Sequence, residues 1–274
     1  MCELLGLSSN LPAKVTLSLQ KLAEHGGLSG PHKDGWGVAY YEGADVRLFK
    51  EAEAAAGSAG VRFIAEHELR SHIVIAHVRS ATMGERAYRN TQPFARELAG
   101  RMHLFAHNGW LPGIMEVPHF APTRFNPVGE TDSERAFCVL LDRLGELWQR
   151  PGEIPPLAAR LEIVVGFAQD MRELGPANFL YSDGEVLFAH GDRRKHPVTA
   201  RIEPPGLVYR EQHCGRGERS VAANALSIEG AEQMVTLIAS VPLTDEPWKP
   251  LGEGEVIAVT AGQLGAHESA RPSR

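Results

Sequence analysis

The cysteine at position 2 stands next to the initiator methionine. A small side chain there favours removal of Met1, which would leave Cys2 as the first residue with a free α-amine beside its thiol. That amine has an ordinary pKa of about 7.7–8.0 and the thiol one near 8.5, so one residue could supply both nucleophile and base. The alternative for Cys2 is a small buried residue in a first strand. In His77-Val78-Arg79-Ser80-Ala81-Thr82, Arg79 follows the apolar run Ile73–Ala76. A guanidinium at the end of a core strand needs a counter-charge or a ligand, and its fork fits both oxygens of a carboxylate. An ordinary ion pair would explain it equally. In His107-Asn108-Gly109, the Asn108 amide and a closely approachable Gly109 N–H could hold an oxyanion, although Asn-Gly by itself reads as a hairpin turn. Asp132 opens an apolar-periodic segment, where a carboxylate gains from the helix dipole or could face a ligand ammonium. His72, His77, His103 and His107 show no zinc-type spacing, so no metal and no cofactor are expected.

These residues need elements to hold them. Strands are expected at Cys2–Leu7, Trp36–Tyr41, Val46–Lys50, Ile73–Ala76, His103–Ala106, Phe179–Ser182, Val186–Ala189 and Val256–Thr260. Hairpin turns fall at Glu42-Gly43-Ala44-Asp45 and Asp183-Gly184-Glu185. Helices are expected at Leu17–His25, Ser133–Gln149 and Leu157–Leu174. A capping box spans Thr131 to Glu134, with Thr131 at the cap and Glu134 reaching back. Strands and helices are segregated, which favours an α+β layered fold with largely antiparallel sheets. Cys138 falls within the apolar pattern of a helix and reads as core, whereas Cys214 falls in a polar, loop-like stretch. The stretch Arg193–Gly206 also reads as loop, the tail from His267 to Arg274 as frayed, and Gly26–Gly30 as a connection shaping the rim of a pocket.

Composition narrows the class. The 274 residues carry 28 basic and 34 acidic side chains, a net charge of −6, so a basic nucleic-acid footprint is absent. No apolar run approaches the ~20 residues that cross a bilayer, and the start lacks a signal-peptide pattern. Three cysteines cannot build a disulfide framework, so a reducing, cytoplasmic setting is expected. No stretch is a clear linker, so residues 2–274 are read as one domain.

In order, Cys2, Asp34-Gly35-Trp36-Gly37, His77–Thr82, Asn90-Thr91-Gln92-Pro93-Phe94, His107–Gly109 and Glu130-Thr131-Asp132-Ser133-Glu134 resemble the class II glutamine amidotransferases, which are N-terminal nucleophile hydrolases. The opening Met1–Gly6, the segment Gly30–Gly37 and the segment Pro127–Glu134 are most similar to the small stand-alone YafJ-type members. The motif-bearing part runs over residues 2–149. The resemblance implies a four-layer αββα sandwich of two mainly antiparallel sheets, with the nucleophile at the start of a central strand. It implies Cys2 attacking the γ-amide of glutamine, its own α-amine moving the proton, and an oxyanion hole from Asn108 and the Gly109 N–H. It also implies that Arg79 binds the α-carboxylate and Asp132 the α-ammonium, with Thr82 in the same binding segment. Many relatives continue Arg-Trp-Ala-Thr-His, where this chain has Arg79-Ser80-Ala81-Thr82-Met83, so the lid over the substrate is expected to pack differently. Met83–Asn90 is read as that mobile lid.

Nothing after Glu153 resembles a synthetase, isomerase or phosphoribosyltransferase. The ammonia acceptor is therefore expected to be water or a partner protein. Two other readings stay open on sequence: hydrolysis of a γ-glutamyl peptide or conjugate, and a catalytically silent glutamine-binding subunit, which a retained Met1 would favour.

Overall fold

A computed structural model of the chain describes residues 2–14, 16–67, 69–196, 199–214 and 233–269. In chain order the elements are β1 (Glu3–Lys14), α1 (Thr16–His25), β2 (Trp36–Glu42), β3 (Asp45–Glu51), α2 (Ala59–Glu66), β4 (Arg70–Val78), β5 (Phe94–Leu98), β6 (Arg101–Gly109), α3 (Asp132–Leu144), α4 (Leu157–Leu174), β7 (Ala177–Ser182) and β8 (Val186–Gly191). They continue with β9 (Arg194–Lys195), β10 (Ile202–Glu203), β11 (Val208–Cys214), β12 (Gln233–Ala239), β13 (Lys249–Pro250), β14 (Glu255–Thr260) and β15 (Gln263–Ser269).

The long strands form two sheets, and every ladder among the described residues is antiparallel. One sheet has the order β13-β11-β12-β1-β4-β2-β3, the other β15-β14-β8-β7-β6-β5. Strand β1 is the middle strand of the seven. Its side chains divide by the period-2 rule of strands. Leu5 and Leu7 join Leu22 and Ala23 of α1 and Ile64 of α2 in an outer core, while Leu4 faces the second sheet. Strand β4 divides in the same way, with Val74, Ala76 and Val78 outward and Ile73 and Ile75 inward. The other outer core lies under α3 and α4, where Phe137, Leu140 and Phe167 pack on Phe105, Phe179 and Phe188 of the six-stranded sheet. Helices on sheet on sheet on helices is the expected αββα order. Strands apolar on both faces also explain why the central ones read as continuous hydrophobic runs.

Several boundaries differ from the sequence reading. Helix α3 ends at Leu144 rather than Gln149, because Gly145 takes over the cap and donates to Leu141 O at 2.8 Å. Trp148 nevertheless packs into the core through the turn that follows. Helix α2 was not anticipated; Ser58 caps it, its hydroxyl accepting from Val61 N–H at 3.2 Å. The stretch around Glu211–Cys214 is strand, not loop, and His267–Ser269 belong to β15 rather than a frayed tail. The Arg193–Gly206 stretch contains the short β9–β10 ribbon. Cys138 is fully buried in the α3 core.

Candidate active site

Cys2 precedes the central strand and is half-buried. Its Sγ lies against Ser80 just past the end of β4: Ser80 N–H donates to the sulfur at 3.3 Å, and the thiol donates to Ser80 O at 3.4 Å. Burial raises the thiol pKa; the Ser80 N–H and Arg79 pull it back, and Asp132 opposes them. The β1–β4 register places Glu3 beside Val78, and this pairing carries Cys2 to the Arg79–Thr82 segment.

Arg79 is 3% exposed. Its guanidinium donates to main-chain carbonyls: Asp34 O (3.4 Å) and Glu85 O (3.0 Å) through Nη1, and Met83 O (2.9 Å) and Gly84 O (3.0 Å) through Nη2. Burial lowers its pKa, offset in part by Cys2, Asp34 and Glu130. The Asp34–Gly37 motif is the back wall of this segment. Arg79 N–H donates to Gly35 O (2.8 Å), Asp34 N–H to Arg79 O (3.1 Å), and Ala81 N–H to the Asp34 carboxylate (2.8 Å). A Cβ on Gly37 would stand 2.4 Å from Gln92 O, so only glycine lets β2 pass there. The Asn90–Phe94 motif is tied to β6 in turn. Gln92 Oε1 accepts from His107 N–H at 2.6 Å, and its Nε2 donates to His107 O at 3.2 Å.

Asn108 and Gly109 are not a hairpin turn; they close β6, paired with Asn178 and Ala177 of β7. A Cβ on Gly109 would meet Pro176 O at 2.1 Å and His107 Nε2 at 2.5 Å, which accounts for the glycine without a turn. Asn108 continues the inward alternation of Leu104 and Ala106. Its Nδ2 donates to Ser240 Oγ at 3.3 Å, and its Oδ1 is buried without a partner. His107 points the other way, its Nδ1 2.9 Å from Ser133 Oγ; burial lowers its pKa to about 4, so the ring is neutral. His77 is fully buried, and burial lowers its pKa to about 3.

Asp132 is the first residue of α3 and 3% exposed. Its Oδ2 accepts from Leu111 N–H at 2.9 Å, and its Oδ1 from Ser133 N–H at 2.8 Å. Thr131 caps the helix, Oγ1 accepting from Glu134 N–H at 3.2 Å. Glu134 reaches back beyond the cap residue to Gly129 N–H (2.7 Å) and binds Arg96 on β5.

Cys2, Arg79, Thr82, Gly109 and Asp132 share the wall of one cavity with Ser80, Gln92 and Ser133. The cavity measures about 20 Å³, room for about one water. Asn108 lies in the inter-sheet layer beside Ser240 rather than on that wall. The Gly26–Gly30 connection is not on it either; Gly27 and Leu28 line a separate depression between α1 and α2. Gln92, within the Asn90–Phe94 motif, Ser80 and Ser240 carry no role legible in the sequence. Nothing in the local sequence marks Ser240, which meets Asn108 through strand pairing alone.

The architecture is that of the N-terminal nucleophile hydrolases. Glutamine phosphoribosylpyrophosphate amidotransferase from B. subtilis, 15% identical, shares the fold with a TM-score of 0.57 over 98% of this chain and 49% of its own. A family profile for glutamine amidotransferases class-II matches residues 1–274, and the chain belongs to that family of enzymes. It is similar to a putative glutamine amidotransferase, YafJ, of Escherichia coli K12, with 38% identity over 93% of this chain and 96% of the relative. It is also similar to the crystal structure of a predicted glutamine amidotransferase from Pseudomonas aeruginosa PA01. There the TM-score is 0.68 at 34% identity, covering 97% of this chain and all of that one. Among the described residues no helix is long and apolar enough to cross a membrane.

Proposed function

We propose that this chain hydrolyses the γ-amide of glutamine with Cys2 as nucleophile, and that residues 2–274 act as one amidotransferase domain. The observation that carries the reading is the shared cavity wall: a thiol, a guanidinium, a carboxylate and a strand-end glycine converge on one small space. With Met1 removed, the Cys2 α-amine takes the thiol proton as sulfur bonds to the amide carbon. The Gly109 N–H and the Asn108 amide stabilise the oxyanion; one such donor contributes about 2.7–4 kcal/mol to the transition state. The C–N bond breaks, the amine returns its proton to the nitrogen, and ammonia leaves. Water then attacks the γ-glutamyl thioester, giving up a proton to the amine and restoring the thiol as glutamate departs.

The ends of the substrate differ in charge. Arg79 takes the α-carboxylate and Asp132 the α-ammonium, each charge-assisted bond contributing about 1.5–3 kcal/mol, with Thr82 beside them. The carbonyls of Met83, Gly84 and Glu85 occupy the Arg79 guanidinium, so Met83–Asn90 swings aside to admit glutamine, exchanging these carbonyls for the substrate carboxylate. A glutamine analogue should therefore change protease cleavage within that segment, and unchanged cleavage would remove the lid. The ammonia goes to water or to an acceptor on another protein.

The direct test is release of glutamate and ammonia by purified protein, with an intact mass confirming loss of Met1. A Cys2→Ala variant should lose release by at least about 10³-fold, as removal of a nucleophile does. Equal release by both proteins would overturn the mechanism. A panel of γ-glutamyl conjugates run alongside shows whether free glutamine is the preferred amide.

A further inference from the structure

Strand β12 ends at Ala239, opposite Leu5 of β1, so the next residue, Ser240, falls beside Leu4, two positions past Cys2. Ser240 N–H donates to Leu4 O at 3.1 Å, and Leu4 N–H donates to Ser240 Oγ at 3.0 Å. The same Oγ is 3.3 Å from Asn108 Nδ2, which reaches it from the opposite sheet. Ser240 is 4% exposed; Leu4 and Asn108 are fully buried. From the other side, the Arg194 guanidinium donates to the Ser240 carbonyl, fixing its main chain. One hydroxyl thus joins the backbone of the nucleophile strand to the side chain next to Gly109.

The hydrogen count on this contact is unbalanced. Ser240 Oγ accepts from Leu4 N–H and from Asn108 Nδ2, while its own hydrogen has no acceptor among the described residues. Asn108 Oδ1 is buried with no donor. An idle donor and an idle acceptor therefore sit on the two residues already in contact. A half-turn of the Asn108 amide about χ2 resolves both: Ser240 O–H donates to Oδ1, and Nδ2 takes the place where Oδ1 stood. That leaves a buried N–H donor without a partner on the residue next to Gly109 of the cavity wall, and the 3.3 Å contact with Ser240 is kept with its direction reversed.

We propose that Ser240 is a positioning residue, its hydroxyl holding Asn108 Oδ1 during turnover so that Nδ2 faces the oxyanion. This rests on the reading of Asn108 as an oxyanion donor. It predicts an effect on the transition state and none on substrate binding. The experiment is a double-mutant cycle in the full chain, with glutamine and with γ-glutamyl-p-nitroanilide, an activated amide that keeps slow variants measurable. Ser240→Ala should lower kcat about tenfold with KM unchanged, a size ordinary for coupled neighbours. The same change on an Asn108→Ala background should lower it less than about twofold, because the group it positions is gone. Ser240→Thr, which keeps the hydroxyl, should recover most of the rate. The Cys2 alkylation rate should be the same in wild type and Ser240→Ala, which separates positioning of Asn108 from displacement of β1.

Equal losses on the two backgrounds, a rise in KM, or slowed alkylation would each overturn the proposal in favour of a strand tether. If Ser240→Thr does not pack, the cycle alone decides. Failure here with Cys2-dependent hydrolysis intact removes only Ser240's role. Hydrolysis that persists in Cys2→Ala removes the enzymatic reading, and this proposal with it.

Discussion

Arg79 and Arg160 are both 3% exposed, and both lie at the edge of a core, yet the protein treats their charges in opposite ways. Arg160, on α4, donates to the Asp183 carboxylate at 2.6 Å and to Glu185 at 2.6 Å. Asp183 is itself held by Glu185 N–H and Val186 N–H, both at 3.0 Å, so the β7–β8 turn is a closed ionic network. Arg79 has hydrogen bonds to four carbonyls and, among the described residues, no carboxylate in an ion pair. The pKa directions follow. Burial depresses both guanidinium groups, but at Arg160 the two carboxylates outweigh it and the value is raised, while at Arg79 it stays lowered. Neutral acceptors satisfy the donors of Arg79 without neutralising its charge, so its positive charge remains available to an anionic ligand. The compensated charge of Arg160 holds the fold, while the uncompensated charge of Arg79 suits the carboxylate-binding role proposed for it.

Substitution at each arginine should separate these roles. Arg160→Gln leaves Asp183 buried without its counter-charge and should destabilise the fold by about 3–5 kcal/mol in denaturant titration, with KM for glutamine unchanged below the transition. Arg79→Gln should instead lower kcat/KM by about 10–100-fold, mainly through KM, with unfolding shifted by less than about 1 kcal/mol. A stability loss at Arg79 comparable to that at Arg160 would erase the distinction.

A third pair tests the comparison at smaller scale. Glu3, next to Cys2, meets His25 Nδ1 at 2.6 Å. Burial alone would raise the Glu3 pKa, but His25, His32 and Arg194 outweigh it and hold it below the ordinary value; the hydrogen bond to Glu3 raises His25 against its partial burial. The Glu3 contribution to stability is present above about pH 4.5 and lost as pH falls. The His25 contribution is complete below about pH 6.5 and lost as pH rises through its raised folded value. The pair should therefore stabilise most between these limits. The gap in unfolding free energy between wild type and Glu3→Gln should be larger at pH 5.5 than at pH 8.5. The difference should be under about 1 kcal/mol, because His25 retains 29% of its side-chain exposure. A gap independent of pH would mean that His25 carries no charge in the pair.

How much of this was legible beforehand depended on whether a signal was local. The layered α+β class with antiparallel sheets followed from segregated helical and strand patterns, and the αββα order from the family resemblance. The cap at Thr131 followed from residue types spaced three apart, and Cys138 from its place on an apolar stripe. The strands β5, β11, β12 and β15 were not anticipated. Residues Arg96 and Glu97 break the apolar run of β5, β11 carries Arg210, Glu211 and Gln212, and β15 lies at a sheet edge where polar residues are tolerated. The run Val235–Ala239 carries the same β-branched signal as Ile73–Ala76, so β12 is legible locally. The Asn-Gly pair, which by itself reads as a turn, closes β6 instead, and the close approach of Pro176 O and His107 Nε2 explains the glycine there.

By itself the sequence determined the types and order of the reactive residues, the layered α+β class, and the family pattern that strings Cys2, Arg79, Gly109 and Asp132 along the first half of the chain. Covalent order and side-chain chemistry are local properties, and they can be read one segment at a time. Tertiary structure alone decided that Ser80 grips the sulfur, that carbonyls of Met83–Glu85 rather than a carboxylate receive Arg79, and that Ser240, 132 residues from Asn108, shares a hydroxyl with it. These contacts depend on which strands pair and in what register. Long-range pairing is fixed by the burial of two whole sheets against each other, which no single segment encodes.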